Sequence, residues 1–262
     1  MQWGGATTIV TGASRGIGRA VAEAAGARGA RVGLIARSEG DLRQVAGELG
    51  DAAYAVADVA DPDALAAALA RLAYDLGPPD VLVANAGIGA YGAFADLTAD
   101  EAERLVRVNV LGTVHALRAV VPGMIERRRG HLVTIGSIAG RIGSPFEAIY
   151  SATKFAVVGL TEALAVEVEP YGIGVSLVNP GPVATDFGAA RGHPYDRARP
   201  RPVAAAAVAD TVIRAVEGDC RERYVPAAFG PAVAVRHLVP PLFRWGTRRT
   251  FTRELALDRG RR

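Results

Sequence analysis

Short apolar runs rich in Val, Ile, Leu and Ala alternate along the chain with longer stretches of helical periodicity. The runs at 6–11, 30–36, 53–57, 81–84, 131–136, 174–178 and 223–225 read as strands. The stretches at 16–28, 38–49, 62–76, 98–127, 150–171 and 202–217 read as helices. The strand runs are nearly continuous in apolar character, as expected when both faces of a sheet are covered. Repeated strand–helix–strand units imply parallel strands joined by right-handed crossovers. The prediction is an α/β, doubly wound fold: a seven-stranded, mostly parallel sheet with helices on both faces and ligands at the carboxyl ends of the strands.

Two segments escape the periodicity. Residues 188–202, GAARGHPYDRARPRP, follow a strand end and fit either a mobile substrate-covering loop or an ordinary surface loop. Residues 226–245 are apolar but broken by prolines, too interrupted to span a bilayer. They could cover an active site, pack on a partner subunit or lie on a membrane, and simple packing is the expected role.

Half of the residues are apolar and 22% charged, a globular balance. Cys220 stands alone, which excludes an intrachain disulfide and fits a reducing compartment. The opening MQWGGATTIV lacks the features of a signal peptide, and no run of about 18 apolar residues predicts a spanning helix. The expected location is cytoplasmic. The net charge of +3 is uneven: from Arg236 to Arg262 eight Arg face only Glu254 and Asp258, a local +6 that leaves −3 elsewhere. Such a tail reads first as solvated surface and second as a membrane contact, and no nucleic-acid module accompanies it. His115, His131, His193 and His237 show no metal-ligand spacing, so no metal is assigned. Of 30 basic residues, all but Lys154 are Arg, which marks that position as one that needs an ammonium.

Thr11 to Gly18, TGASRGIG, follows the first strand and opens the first helix. Its glycines let the backbone turn sharply and approach a ligand, and the helix start offers unpaired N–H groups to a pyrophosphate. Gly12, Ser14, Arg15, Gly16, Ile17 and Gly18 are therefore assigned to a dinucleotide. The second strand ends in Ala36 and Arg37, where an acidic residue would grip the ribose 2′-hydroxyl of NAD. With Arg15 on the same side, two guanidiniums can bracket a 2′-phosphate, so the expected cofactor is NADP(H). Asp58 and Val59 end the third strand, Asp58 serving as acceptor for the adenine amino group or as a helix cap. Asn85, Ala86 and Gly87 end the fourth, Asn85 bracing the sheet end or simply turning the chain.

Ser137 closes the fifth strand, and Tyr150-Ser151-Ala152-Thr153-Lys154 opens a helix. The i,i+4 spacing sets phenol and ammonium on one helical face. A free Tyr titrates near about 10, and the neighbouring ammonium is expected to lower that value towards the operating range. Lys154 can also hold the nicotinamide ribose, Ser137 the substrate carbonyl oxygen, and Asn109 a water that relays protons towards Lys154.

Together, Thr11–Gly18, Asn85-Ala86-Gly87, Asn109, Ser137, Tyr150, Lys154 and Asn179-Pro180-Gly181 resemble the classical short-chain dehydrogenase/reductase family, over residues 6–225. The resemblance implies a Rossmann fold, a catalytic tetrad of Asn109, Ser137, Tyr150 and Lys154, and a subunit that dimerises or tetramerises. It places Pro180, Gly181, Val183 and Thr185 at the nicotinamide end, and matches Arg15 and Arg37 to the NADP-preferring members. Ala84 stands where many members have a first Asn. The long tail after Arg223-Tyr224-Val225-Pro226 departs from the 3-oxoacyl-carrier-protein reductases and is similar to the branch acting on steroids, retinoids and other lipophilic alcohols.

The expectation is thus a dinucleotide-binding and catalytic domain at 1–225 with an extension at 226–262 packed on it. Its activity would be NADPH-dependent hydride transfer to a ketone or aldehyde, reversible with a secondary alcohol. The alternative is a catalytically silent NADP-binding regulator or scaffold, against which the intact Ser137, Tyr150 and Lys154 speak. A sugar-nucleotide epimerase ranks lower, because that branch spaces its glycines differently. The substrate lining is expected from 140–148, 188–202 and the tail, and the helices holding Asn109 and Tyr150 are plausible dimer faces.

Overall fold

A computed structural model describes residues 1–195, 200–252 and 255–256. Strands β1 (Thr7–Thr11), β2 (Arg31–Ala36), β3 (Ala52–Val56), β4 (Val81–Ala84), β5 (Gly130–Ile135) and β6 (Ile173–Pro180) fall on the predicted apolar runs, with boundaries shifted by at most a few residues. Two very short strands the pattern did not signal, β7 (Val183–Ala184) and β8 (Val203–Ala204), pair with each other apart from the main sheet. β9 (Glu222–Val225) completes the main sheet, whose order is β3-β2-β1-β4-β5-β6-β9 with every neighbouring pair parallel. The chain winds outward from β1 to β3, then crosses back to lay β4 against the other side of β1. The strand order therefore reverses between β1 and β4, which opens a crevice at their carboxyl ends.

Among the described residues ten α-helices follow in order: α1 (Gly16–Gly26), α2 (Glu39–Leu49), α3 (Pro62–Leu76), α4 (Ala99–Val106), α5 (Gly112–Arg127), α6 (Ala148–Val168), α7 (Phe187–Ala190), α8 (Ala205–Glu217), α9 (Phe229–Leu238) and α10 (Pro240–Thr250). Their starts are locally encoded. Asp61 accepts from the backbone N–H groups of Asp63 and Ala64 ahead of α3, and Thr98 with Glu101 forms a capping box at α4. Successive residues of β1 bury themselves on opposite faces. Val10 joins Val21, Leu34, Leu42, Val208 and Ile213 under α1, α2 and α8, while Ile9 joins Leu65, Leu72, Leu117, Leu132 and Val175 under the helices of the other face. This double coverage is why the strands read as unbroken apolar runs.

Beyond β7, β8 and the short α7 at the edge of the 188–202 loop, three further features differ from the pattern-based reading. The single helix expected at 98–127 is interrupted by a wide π-type turn, Arg107–Leu111, which carries Asn109. The stretches Ala99–Arg127 and Ala148–Tyr171 are, by length and composition, apolar enough to cross a membrane, although no such run stood out in the sequence. In the fold they lie against the sheet and bring Asn109, Tyr150 and Lys154 inward. Finally, the Pro-broken tail forms two helices. Pro240 and Pro241 occupy the first turn of α10, where a missing N–H costs no hydrogen bond. α9 packs on β9 and α10 on α9, with Val233 and Phe251 buried beneath them.

Candidate active site

The crevice between the ends of β1 and β4 opens into a cavity of about 1030 Å³ that runs from the glycine loop to Tyr150. Of the residues assigned to cofactor or chemistry from sequence, all line this cavity except Gly18 and Asn109.

At the cofactor end, α1 begins at Arg15 in extended conformation, with no side chain capping its N–H groups and no acidic residue in its first turn. An anion is the partner such a helix start accepts. Gly18 stands one layer behind. A Cβ there would overlap the Gly12 carbonyl oxygen and crowd the Asn85 amide, so its small size serves packing of the loop and not ligand contact. Asn85 braces the glycine loop: Nδ2 donates to the carbonyl oxygens of Thr11 (2.9 Å) and Gly12 (3.2 Å). The Thr11 hydroxyl returns the tie, accepting from the backbone N–H groups of Asn85 (3.0 Å) and Ala86 (3.1 Å). Arg15 and Arg37 are exposed at the rim, and Arg37 lies 3.9 Å from Asp58, so its charge is shared with that carboxylate. Asp58 also accepts from the Ala60 N–H at 2.9 Å, which fixes the turn after β3. Ser38 and Asp41 line the same end, a contribution that the reading of strand ends alone passed over.

At the chemical end, β5 and the first turn of α6 bring Ser137, Tyr150 and Lys154 together. The Ser137 hydroxyl acts on the Tyr150 phenol in favour of its ionised form, and it accepts from the Ala139 N–H at 3.1 Å. Lys154 lies on the face expected, but its ammonium donates to the Ile135 carbonyl oxygen at 2.9 Å and sits 6.0 Å from the Tyr150 ring centre. The expected lowering of the phenol by Lys154 is therefore corrected. Burial dominates and pushes Tyr150 up to about 12; the Ser137 hydroxyl and Arg191 oppose it, and Glu147 adds to it. The same burial pushes Lys154 down to about 8. Water withdrawn from both groups favours both neutral forms.

Asn109 is fully buried behind Gly87, and its side chain is committed. Oδ1 accepts from the Ile88 N–H (2.8 Å), while Nδ2 donates to the Ile88 carbonyl (2.9 Å) and to the Thr153 hydroxyl (3.0 Å). These bonds tie the turn after β4 to α6.

Opposite Tyr150 the cavity is closed by residues 140–148, the segment around α7, and the tail. Arg191 pairs with Glu147, both only 11–12% exposed, and Glu147 in turn accepts from the Ser144 hydroxyl at 2.8 Å. Tyr91 stacks on His193 at 4.2 Å, and Phe187 leans on the Tyr150 ring at 5.8 Å. From the tail, Phe229, Leu242, Trp245 and Phe251 complete the wall. Arg236 of α9 donates to the Arg141 carbonyl and lies 4.8 Å over the Phe155 ring, which fastens the tail to the chemical end. Phe187 is among the lining residues that no motif and no expected lining segment announced.

This layout, a glycine loop and a Ser–Tyr–Lys group at two ends of one crevice, coincides with the extent of a family match. The family model described as short chain dehydrogenase matches residues 6–196. The chain belongs to that family. This short chain dehydrogenase is 34% identical over 255 residues to mouse (Mus musculus) dehydrogenase/reductase SDR family member 7B, a match covering 91% of the chain and 79% of the relative. Its fold superposes on a short chain dehydrogenase/reductase from Burkholderia phymatum in complex with NAD, with a TM-score of 0.84 and 27% identity, covering 92% of this chain and 96% of that one. It superposes also on an alcohol dehydrogenase from the archaeon Thermococcus sibiricus complexed with 5-hydroxy-NADP, with a TM-score of 0.77 and 27% identity, covering 84% and 95%. Membership makes the protein an oxidoreductase acting on CH–OH or C=O groups. The donor set fits a nicotinamide dinucleotide: an uncapped helix start under a glycine loop, arginines at the rim, and a buried lysine at the far end.

Proposed function

We propose that the protein is an NADPH-dependent reductase of ketones or aldehydes, reversible as a secondary-alcohol dehydrogenase, with Tyr150 as the proton donor. The observation that carries this is the grouping of Ser137, Tyr150 and, on the next helical turn, Lys154 in the same cavity as the glycine loop. A bound nicotinamide supplies or accepts the hydride. Gly12 to Ile17 with the start of α1 hold the pyrophosphate, and Arg15 and Arg37 take the 2′-phosphate. Pro180, Gly181, Val183 and Thr185 bound the nicotinamide end. Ser137 fixes the carbonyl oxygen, and Tyr150 passes its phenolic proton to that oxygen as the alcohol forms. Lys154, held on the Ile135 carbonyl, orients the ribose side of the crevice. The apolar walls from Tyr91, Phe187, Phe229 and Leu242 favour a lipophilic substrate.

The test follows nicotinamide absorbance over a carbonyl panel with NADPH and NADH in parallel. Turnover should be faster with NADPH, and Arg37→Ala should raise KM for NADPH while leaving that for NADH unchanged. Tyr150→Phe should lower kcat by about 10²–10⁴-fold with dinucleotide affinity retained. A silent regulator would bind NADPH and turn over none of the panel, and the intact Ser137, Tyr150 and Lys154 speak against that outcome.

A further inference from the structure

Leu238, Val239, Leu242 and Trp245 are 79, 46, 52 and 56% exposed, and stand together from the end of α9 along α10. Leu242 and Trp245, three residues apart, share one helical face. Arginines edge that face: Arg249 lies 4.5 Å from the Trp245 ring, and Arg244 and Arg248 follow one another on the adjoining exposed row. From Phe229 to Thr250 the sequence has four Arg and neither Asp nor Glu. The apolar stripe also borders the cavity, because Leu242 and Trp245 belong to its lining.

Leucine and tryptophan on one face with guanidiniums at its margin, and no Asp or Glu in the sequence from 229 to 250, suit a helix lying in the plane of a bilayer interface. The apolar groups enter the boundary between headgroups and acyl chains, while the long Arg stems reach back to anionic headgroups. We propose that α9 and α10 dock the protein on an anionic lipid surface, inserting Leu238, Leu242 and Trp245 and setting Arg244, Arg248 and Arg249 on the headgroups. The mouth of the cavity then faces the bilayer. The charge argues against a second copy of the chain as the occupant. A two-fold contact would bring the same patch from each subunit together, arginines against arginines, with neither Asp nor Glu in residues 229–250 to offset them. The proposal is independent of the redox reading, since docking is read without cofactor or substrate.

The experiment uses the full chain with vesicles of phosphatidylcholine alone and of phosphatidylcholine mixed with phosphatidylserine. Only two tryptophans occur, and Trp3 is buried, so a blue shift of fluorescence reports Trp245. We expect sedimentation and a blue shift with the anionic vesicles, weakened by salt, and neither with phosphatidylcholine alone. Arg248→Gln combined with Arg249→Gln should weaken the vesicle partition about 25-fold, about fivefold for each arginine, with the melting temperature unchanged. Leu242→Ser with Trp245→Ser should weaken it about tenfold or more. Failure to sediment with anionic vesicles at low salt would overturn the proposal. So would partition indifferent to the arginine pair, or a lipid-free blue shift that tracks self-association.

Discussion

Tyr150 and Lys154 lose water to the same cavity wall, and each is driven towards its neutral form, the phenol to about 12 and the ammonium to about 8. The sign of this pair sets a direction for the chemistry. A phenol that keeps its proton at neutral pH is ready to donate it, so the rate of carbonyl reduction should stay flat from about pH 6 to about pH 9. Alcohol oxidation needs the phenolate as acceptor, so its rate should climb with pH through that window, by up to about tenfold per unit. Initial rates in both directions on one buffer series check this, and an oxidation rate that levels off near neutrality would contradict the raised phenol. Which residues meet here was legible in the chain: the spacing of Tyr150 and Lys154, a Ser closing a strand, and a lone lysine among arginines. The direction of the titration was not. It depends on how much water the folded walls exclude and on where the Lys154 ammonium is anchored, and neither is written in spacing.

Among the elements, the wide turn at Arg107–Leu111 was hidden, because its residues continue an apolar helical pattern on both sides. Its reason is visible only in space, where Asn109 satisfies both backbone groups of Ile88 and reaches Thr153 across to α6. Replacing that side chain with Ala should leave the Ile88 N–H and carbonyl without partners in the interior. A loss of about 2–4 kcal/mol is expected, against about 1 kcal/mol for Thr153→Ala, both measurable in urea unfolding. The same reasoning explains why the two helices of the tail were not signalled. Prolines were read as breaks, yet Pro240 and Pro241 sit in the first turn of α10, the place where a helix tolerates them. α9 makes a demand of its own on the sheet: a side chain on Gly181 would collide with the Phe229 ring, so Gly181 keeps a backbone path narrow enough for that aromatic to close the cavity.

For the whole molecule, the alternation of apolar runs and amphipathic stretches predicted the sheet, its seven strands and its two covered faces. Glu147, Arg191 and Leu242 of the cavity wall fall in the segments 140–148, 188–202 and the tail expected as lining, whereas Tyr91 comes from a stretch that no pattern singled out and meets them only after folding. A chain ending at Val225 retains every strand of the main sheet but lacks one wall of the cavity. Such a truncation should raise KM for bulky apolar carbonyl compounds by about tenfold while changing that for small ones little, given that wall contacts contribute roughly 1.5–3 kcal/mol per buried apolar side chain. Equal KM changes for both substrate sizes would show that the tail serves only to stabilise the fold.

The paired short strands β7 and β8 have a consequence for how this chain can vary. They pin residues 183–184 against 203–204, with the Val203 N–H also bonded to the Pro182 carbonyl at 2.9 Å, so the two ends of the intervening segment are held at one place. Loop-closure entropy rises by only about 0.6 kcal/mol for each doubling of length. The intervening segment is therefore an exchangeable cassette: its length and side chains can be rewritten to admit other molecules while Thr185 and the start of α8 keep their places.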